Sequence, residues 1–228
     1  MFAQVIQGRT SDPEGLRAAT ELWMAELQPG ATGWLGSTAG VTDDGRAVAV
    51  VRFETAEAAG RNAQRPEQTA WWEATQRLFD GDVTFQDSED VVVEMVGEPD
   101  RAGFVQVMAG QVTDYARAKE IMARFDREAM ARLRPEVLGT AIIGHDQGRW
   151  TQVIYFTSEA AAREGERKEP SPDFAAMREE LMGISVAEPT FLDLRTPILT
   201  SAGSAAAVPP PRVASDAPIE ERTPTARQ

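Results

Sequence analysis

Part of this chain repeats itself at a nearly constant shift, and that repeat limits the fold to two copies of one unit. Phe2-Ala3-Gln4-Val5-Ile6-Gln7-Gly8 returns as Phe104-Val105-Gln106-Val107-Met108-Ala109-Gly110, 102 residues later. At a shift of 103, Leu35, Gly36, Asp43, Gly45, Arg46 and Phe53 fall on Leu138, Gly139, Asp146, Gly148, Arg149 and Phe156. Ala58 and Ala59 fall on Ala161 and Ala162, and Trp71, Leu78 and Phe79 on Phe174, Leu181 and Met182. One small insertion reconciles the two shifts.

Each copy reads as the same series of elements. Residues 2–8 are a strand. Asp12-Pro13-Glu14 starts a helix, with an acidic N-cap, proline at the first helical position and an acid in the first turn. Leu16, Ala19, Trp23 and Leu27 follow at helical spacing, and Pro29-Gly30 ends it. The runs 34–41 and 47–54 flank Asp43-Asp44-Gly45, a hairpin signal. Thr55 caps a second helical stretch, interrupted at Pro66 and resumed through Phe79. A fourth strand lies within 83–95, interrupted from Asp87 to Asp90, with Val91-Val92-Val93 as its core. The second copy gives strand 104–110, helix 114–133, hairpin 138–157, helices 159–168 and 172–182, and a strand near 184–194. The order β-α-β-β-α-β, twice, is the ferredoxin-like split unit. Such a sheet carries helices on one face, and its other face exposes a large apolar patch unless something covers it. Two copies in one chain can cover each other. The expectation is an α+β protein, residues 1–97 and 98–197, with two four-stranded antiparallel sheets packed as a fused α/β barrel.

From about Thr200 periodicity is lost. Ser201 to Ala207 leads into Pro209-Pro210-Pro211, and residues 198–228 read as a disordered Pro/Ala-rich tail. The remaining composition excludes more than it identifies. The chain of 228 residues has no cysteine, which removes disulfides, thiolate metal sites and cysteine nucleophiles and fits a cytoplasmic location. A net charge of -13 repels phosphate backbones, so nucleic acid is not an expected partner. No signal-peptide pattern and no apolar run of membrane-spanning length is present, so no membrane association is expected. The acidic cluster Asp87-Ser88-Glu89-Asp90 lacks calcium-loop spacing, and no metal site is expected.

On its element order and its repeat, the chain over about 1–195 resembles the dimeric α/β-barrel superfamily in tandem form. That superfamily includes antibiotic-biosynthesis-type monooxygenases, haem-degrading monooxygenases, dye-decolourising peroxidases and chlorite dismutases. The resemblance implies a small apolar ligand, aromatic or polyketide-like, bound or oxidised with no cofactor, by a monomer that is an intramolecular pseudo-dimer or by a homodimer. A non-catalytic scaffold with a side-chain-filled barrel is the alternative. The monooxygenases' asparagine–tryptophan–histidine set does not carry over: the single asparagine, Asn62, and the single histidine, His145, differ in order and placement. His145 sits in a turn, not on a helix, so haem ligation through it is not expected.

Candidate ligand-contacting residues come from strand alternation. Ala3 and Val5, with Val105 and Val107, suit packing against helices. That places Phe2, Gln4 and Ile6, with Phe104, Gln106 and Met108, toward the space between the sheets. Gln4 and Gln106 are then a symmetric pair of amides. They either orient a ligand or bond each other and water. Phe53 and Phe156 belong on the helix side, which leaves Arg52 and Tyr155 on the opposite face, either at a cavity or reaching solvent at the sheet end. Trp72 has no aromatic counterpart, since Ala175 matches it, and it closes a pocket mouth, makes a dimer contact or is simply half-buried.

Overall fold

The computed structural model describes residues 1–124 and 127–202. In the first half, β1 (Phe2–Arg9) leads into α1 (Pro13–Leu22). The Asp12 carboxylate accepts from the Gly15 N–H, and Pro13 stands where no helical N–H is missed. β2 (Trp34–Val41) and β3 (Arg46–Phe53) form a hairpin. α2 (Ala56–Ala63) is capped by the Thr55 hydroxyl, and α3 (Pro66–Thr75) begins on its proline. β4 (Thr84–Ser88) and β5 (Val91–Met95) are separate strands.

The second half repeats the series as β6 (Phe104–Gln111), α4 (Tyr115–Ala123), α5 (Arg127–Leu133), β7 (Val137–Gly144) and β8 (Arg149–Phe156). It continues with α6 (Glu159–Glu166), α7 (Pro172–Gly183), β9 (Thr190–Leu194) and β10 (Ile198–Ser201). Asp114 and Ser158 cap α4 and α6 as Asp12 and Thr55 cap α1 and α2.

The recurring residues are the ones that bulges and turns demand. The β2–β3 register shifts between Trp34 and Gly36, and the β7–β8 register between Val137 and Gly139. The repeated Leu-Gly is therefore a bulge in the same place in both halves. Gly45 and Gly148 adopt φ of 79° and 71°. Their carbonyls accept from the N–H of Thr10 and Val112 at 2.8 and 2.9 Å. A Cβ there would stand 2.7 or 2.2 Å from the Thr10 or Val112 oxygen, so these hairpins admit only glycine.

Each sheet has five strands, not the four expected. Their orders are β10-β2-β3-β1-β4 and β5-β7-β8-β6-β9. The run 83–95 breaks before Val91, and its two parts enter different sheets: β4 pairs with β1, β5 with β7. Likewise β9 pairs with β6 and β10 crosses to β2. Each half thus lends its last strand to the other's sheet. Residues 198–201, expected in the tail, form that strand, with Ile198 opposite Ala39 and Thr200 opposite Ser37. The rest of the expected tail, from 203, lies outside the described residues.

The sheets pack face to face as expected, but β1 and β6 present the opposite faces. Ala3, Val5, Val48 and Val50 meet Val105, Val107, Ala141, Ile143, Val153 and Leu194 in one core between the sheets. Phe2 joins Trp23, Leu27, Trp34, Phe53 and Ala58 under the helices, and Phe104 joins Phe156 and Ala162. The register explains the correction. Residues directly opposite in an antiparallel pair share a face. Phe2 is opposite Phe53, and Phe104 opposite Phe156. Since Phe53 and Phe156 face the helices, so do Phe2, Gln4 and Ile6, and so do Phe104, Gln106 and Met108.

Candidate functional site

A cavity of about 600 Å³ lies between the helix face of the first sheet and helices α1 and α3. Its floor includes Ile6, Ala39, Ala47 and Ala49. Ala39 is directly opposite Ala49, and Ala47 is opposite Gly8 on one side and Val41 on the other, so the alanines of β2 and β3 adjoin, bordered by Ile6 on β1 and Val41 on β2. Leu16, Trp71, Trp72 and Phe79 form the walls, and Glu14 and Arg17 line its more exposed side. The aromatic wall is continuous: Trp71 and Trp72 lie 6.2 Å apart, Trp72 and Phe79 6.2 Å, and Trp72 meets Phe85 edge-on at 5.2 Å.

The wall is held by hydrogen bonds made away from the cavity. Trp71 Nε1 donates to the Ala19 carbonyl at 2.8 Å. Behind it Trp23 Nε1 donates to Gln68 Oε1 at 2.6 Å, and Asn62 Nδ2 donates to the same oxygen at 3.3 Å. Thr20 and Thr75, the lining hydroxyls near the wall, donate to the Leu16 and Trp71 carbonyls at 2.8 Å each. Arg17 donates to the Thr196 carbonyl, tying α1 to the segment that leads into β10. The surface offered to a ligand is therefore apolar and aromatic, with charge confined to Glu14 and Arg17.

The five candidates from the sequence fall in three places. Trp72 lines the cavity. Gln4 lies on the same sheet face, where its amide donates to Asp87 Oδ1 at 2.7 Å. Gln106 is on the helix face of the other sheet and donates to Asp193 Oδ1 at 2.9 Å. The glutamines are symmetric, as expected, but each bonds the aspartate opposite it on the neighbouring strand, and they do not face each other. Asp193 also receives Arg163, whose guanidinium lies 5.3 Å over the Phe104 ring.

Arg52 and Tyr155 do share the inter-sheet side. Tyr155 is 2% exposed and shares a 2.6 Å hydrogen bond with Thr38. Burial pushes its phenol pKa up, against the opposing pull of the Thr38 bond and the Arg52 charge. The sequence left open a cavity or a solvent-reaching sheet end for these residues; around them valine, isoleucine and leucine side chains pack between the sheets. The sequence reading missed the alanine floor and Phe79. The signal was available, since Ala39, Ala47 and Ala49 match bulkier residues in the second copy.

His145 precedes a short turn over Asp146–Gly148. Its Nε2 is 3.0 Å from Thr151 Oγ1, and its Nδ1 is buried with no hydrogen-bond partner. Burial lowers its pKa, Arg149 lowers it further, and Asp146 opposes both. Among the described residues there is no group of three or more His, Cys, Asp or Glu side chains that could hold a metal ion. No described helix is long and apolar enough to cross a membrane.

No family model and no curated protein matches the chain. Its fold does match solved structures. A putative monooxygenase from Fusobacterium nucleatum subsp. nucleatum superposes with a TM-score of 0.71 at 11% identity, covering 88% of this chain and 94% of that one. A putative monooxygenase from Lactobacillus acidophilus NCFM gives 0.67 at 13% identity, covering 88% and 95%. An anthrone oxidase-like protein gives 0.65 at 13% identity, covering 91% and 95%. The chain is a tandem ferredoxin-like α+β protein with two antiparallel sheets in one polypeptide. In that architecture it is like the three solved structures just described.

Proposed function

We propose that the cavity over Ala39, Ala47 and Ala49 binds a small, flat, largely apolar molecule and that the protein oxidises it with molecular oxygen, with no cofactor. The observation that carries this reading is the cavity itself. It is a preformed space of about 600 Å³, within the range of small-molecule sites, with alanines in its floor and a wall of tryptophans. The fold shared with putative monooxygenases and an anthrone oxidase-like protein supports the oxidative half of the reading.

Anthrone is a suitable probe. Its oxidation balances as C14H10O + O2 → C14H8O2 + H2O: the ring CH2 becomes a carbonyl, and dioxygen is reduced to one carbonyl oxygen and one water. The reaction starts with loss of a proton from that CH2. Among the described lining residues, Glu14 is the carboxylate that can accept it. The test combines tryptophan fluorescence with an oxygen electrode. Anthrone should quench Trp71 and Trp72 and consume oxygen in proportion to protein. Trp72→Ala should weaken binding about tenfold, about 1.4 kcal/mol, by removing one aromatic face. Glu14→Gln should leave binding intact and slow oxygen uptake. Quenching without oxygen uptake would retain the binding site and remove the oxidation. A titration with no quenching at all would favour the alternative of a non-catalytic scaffold, to which the filled inter-sheet space already conforms.

A further inference from the structure

The two halves fill the same layer, between sheet and helices, from opposite sides. At the shift of 103, Ala39, Ala47 and Ala49 correspond to Ile142, Trp150 and Gln152. The sheet registers agree with that correspondence. Ala39 is opposite Ala49 as Ile142 is opposite Gln152, and Ala47 is opposite Gly8 as Trp150 is opposite Gly110. On the helices the exchange runs the other way: Trp72 corresponds to Ala175, and Leu16, at the shift of 102, to Ala118. At these positions the first half is small on the sheet and large on the helices, and the second is the reverse; Val41 and Pro13, which match Gly144 and Tyr115, run the other way.

The consequence is visible at the paired glycines. In the second half the Trp150 ring lies over Gly110, 2.7 Å from where a Cβ would stand. The Tyr115 hydroxyl closes over Gly144, 2.0 Å from its Cβ position, and Gln152 donates to Thr140 at 3.1 Å across the neighbouring strand. In the first half the ring over Gly8 is Phe79, 2.6 Å from the Cβ position. Phe79 comes from the end of the helical stretch rather than from the sheet, and the alanines near Gly8 line the cavity.

We infer that the described residues carry one ligand site, in the first half, shaped by Ala39, Ala47 and Ala49, and that Ile142, Trp150 and Gln152 close the equivalent place in the second half. The inference rests on the cavity being a ligand site, and it adds the stoichiometry and the residues that set it. The three methyl groups keep that part of the cavity lining low. Any of the three larger side chains would stand where a ligand ring lies. The same unit already carries those side chains at the same registers, so the strands can hold them, although a tryptophan at 47 must also displace Phe79, which lies over Gly8.

The test is isothermal titration with anthraquinone-2-sulfonate, a soluble three-ring probe, on the full chain. Wild type should bind one equivalent. Ala49→Gln should weaken binding at least tenfold, and Ala47→Trp should abolish it, each with an unchanged circular dichroism spectrum. Ala49→Gln adds one flexible side chain and carries the test if Ala47→Trp does not fold. The combined variant Ile142→Ala, Trp150→Ala, Gln152→Ala should gain a second equivalent. Two equivalents on wild type, or undiminished affinity in a folded Ala49→Gln variant, would overturn the inference. So would a folded combined variant that still binds one. No binding to wild type would instead overturn the ligand-site reading beneath it.

Discussion

Tyr155 on β8 and Thr38 on β2 share a 2.6 Å hydrogen bond across the interface of the two sheets. Both are buried, at 2% and 3% exposure, so neither hydroxyl has water as an alternative partner. The bond ties the halves together at a place otherwise held by apolar contact. Tyr155→Phe keeps the ring and strands the Thr38 hydroxyl, which should cost about 1–3 kcal/mol. Urea unfolding of the two proteins measures it. An unchanged midpoint at unchanged slope would show that the bond contributes nothing net.

The crossing of β10 makes a sharper prediction about the chain's end. Leu199 packs against the core between the sheets, and four residues of β10 pair with β2. A chain ended after Pro197 loses the partial burial of that leucine, about 1 kcal/mol, together with the β10 pairing, and exposes the edge of β2. Its melting temperature should fall by roughly 5 °C or more relative to a chain ended after Ala202. Equal melting temperatures would mean that β10 adds no stability.

His145 gives the fold a pH dependence of defined sign. Its ordinary pKa is near 6.5, and burial lowers it in the folded protein. Below 6.5 the unfolded chain takes up a proton that the folded one resists, so stability falls as pH drops. The loss is complete once pH passes below the folded value, and above 6.5 there is no effect. Asp146 and Arg149 are the charges acting on the ring. The difference in melting temperature between wild type and His145→Gln should therefore shift against wild type from pH 7.5 to 5.5. A constant difference would contradict the buried, unpartnered Nδ1.

The repeat was legible because its clearest matches sit where the backbone allows no substitute. Leu35-Gly36 and Leu138-Gly139 are bulges, and Gly45 and Gly148 hold positive φ against a carbonyl. The faces of β1 and β6 were not legible from those strands alone. Both alternating sets are largely apolar, since one packs on a sheet and the other under helices, and a strand buried on both faces carries no polarity to orient it. Only the pairing of Phe2 with Phe53 decides the matter. Asp87 to Asp90 marked a break in the fourth strand, but which sheet each part joins is set by tertiary packing. β10 was hidden because four residues beside a Pro/Ala-rich stretch show no period. Among the candidate residues, Trp72 stood out by lacking an aromatic counterpart, and it does line the cavity. The floor was overlooked because alanine in a strand reads as filler, and its meaning appears only against Ile142, Trp150 and Gln152.

The location of the ligand tests the account most directly. A crystal structure of the full chain grown with anthraquinone-2-sulfonate should show one ring system per chain, lying on Ala39, Ala47 and Ala49 beneath Trp71 and Trp72. Ring density between the two sheets near Arg52 and Tyr155, or over Trp150 in the second half, would contradict it.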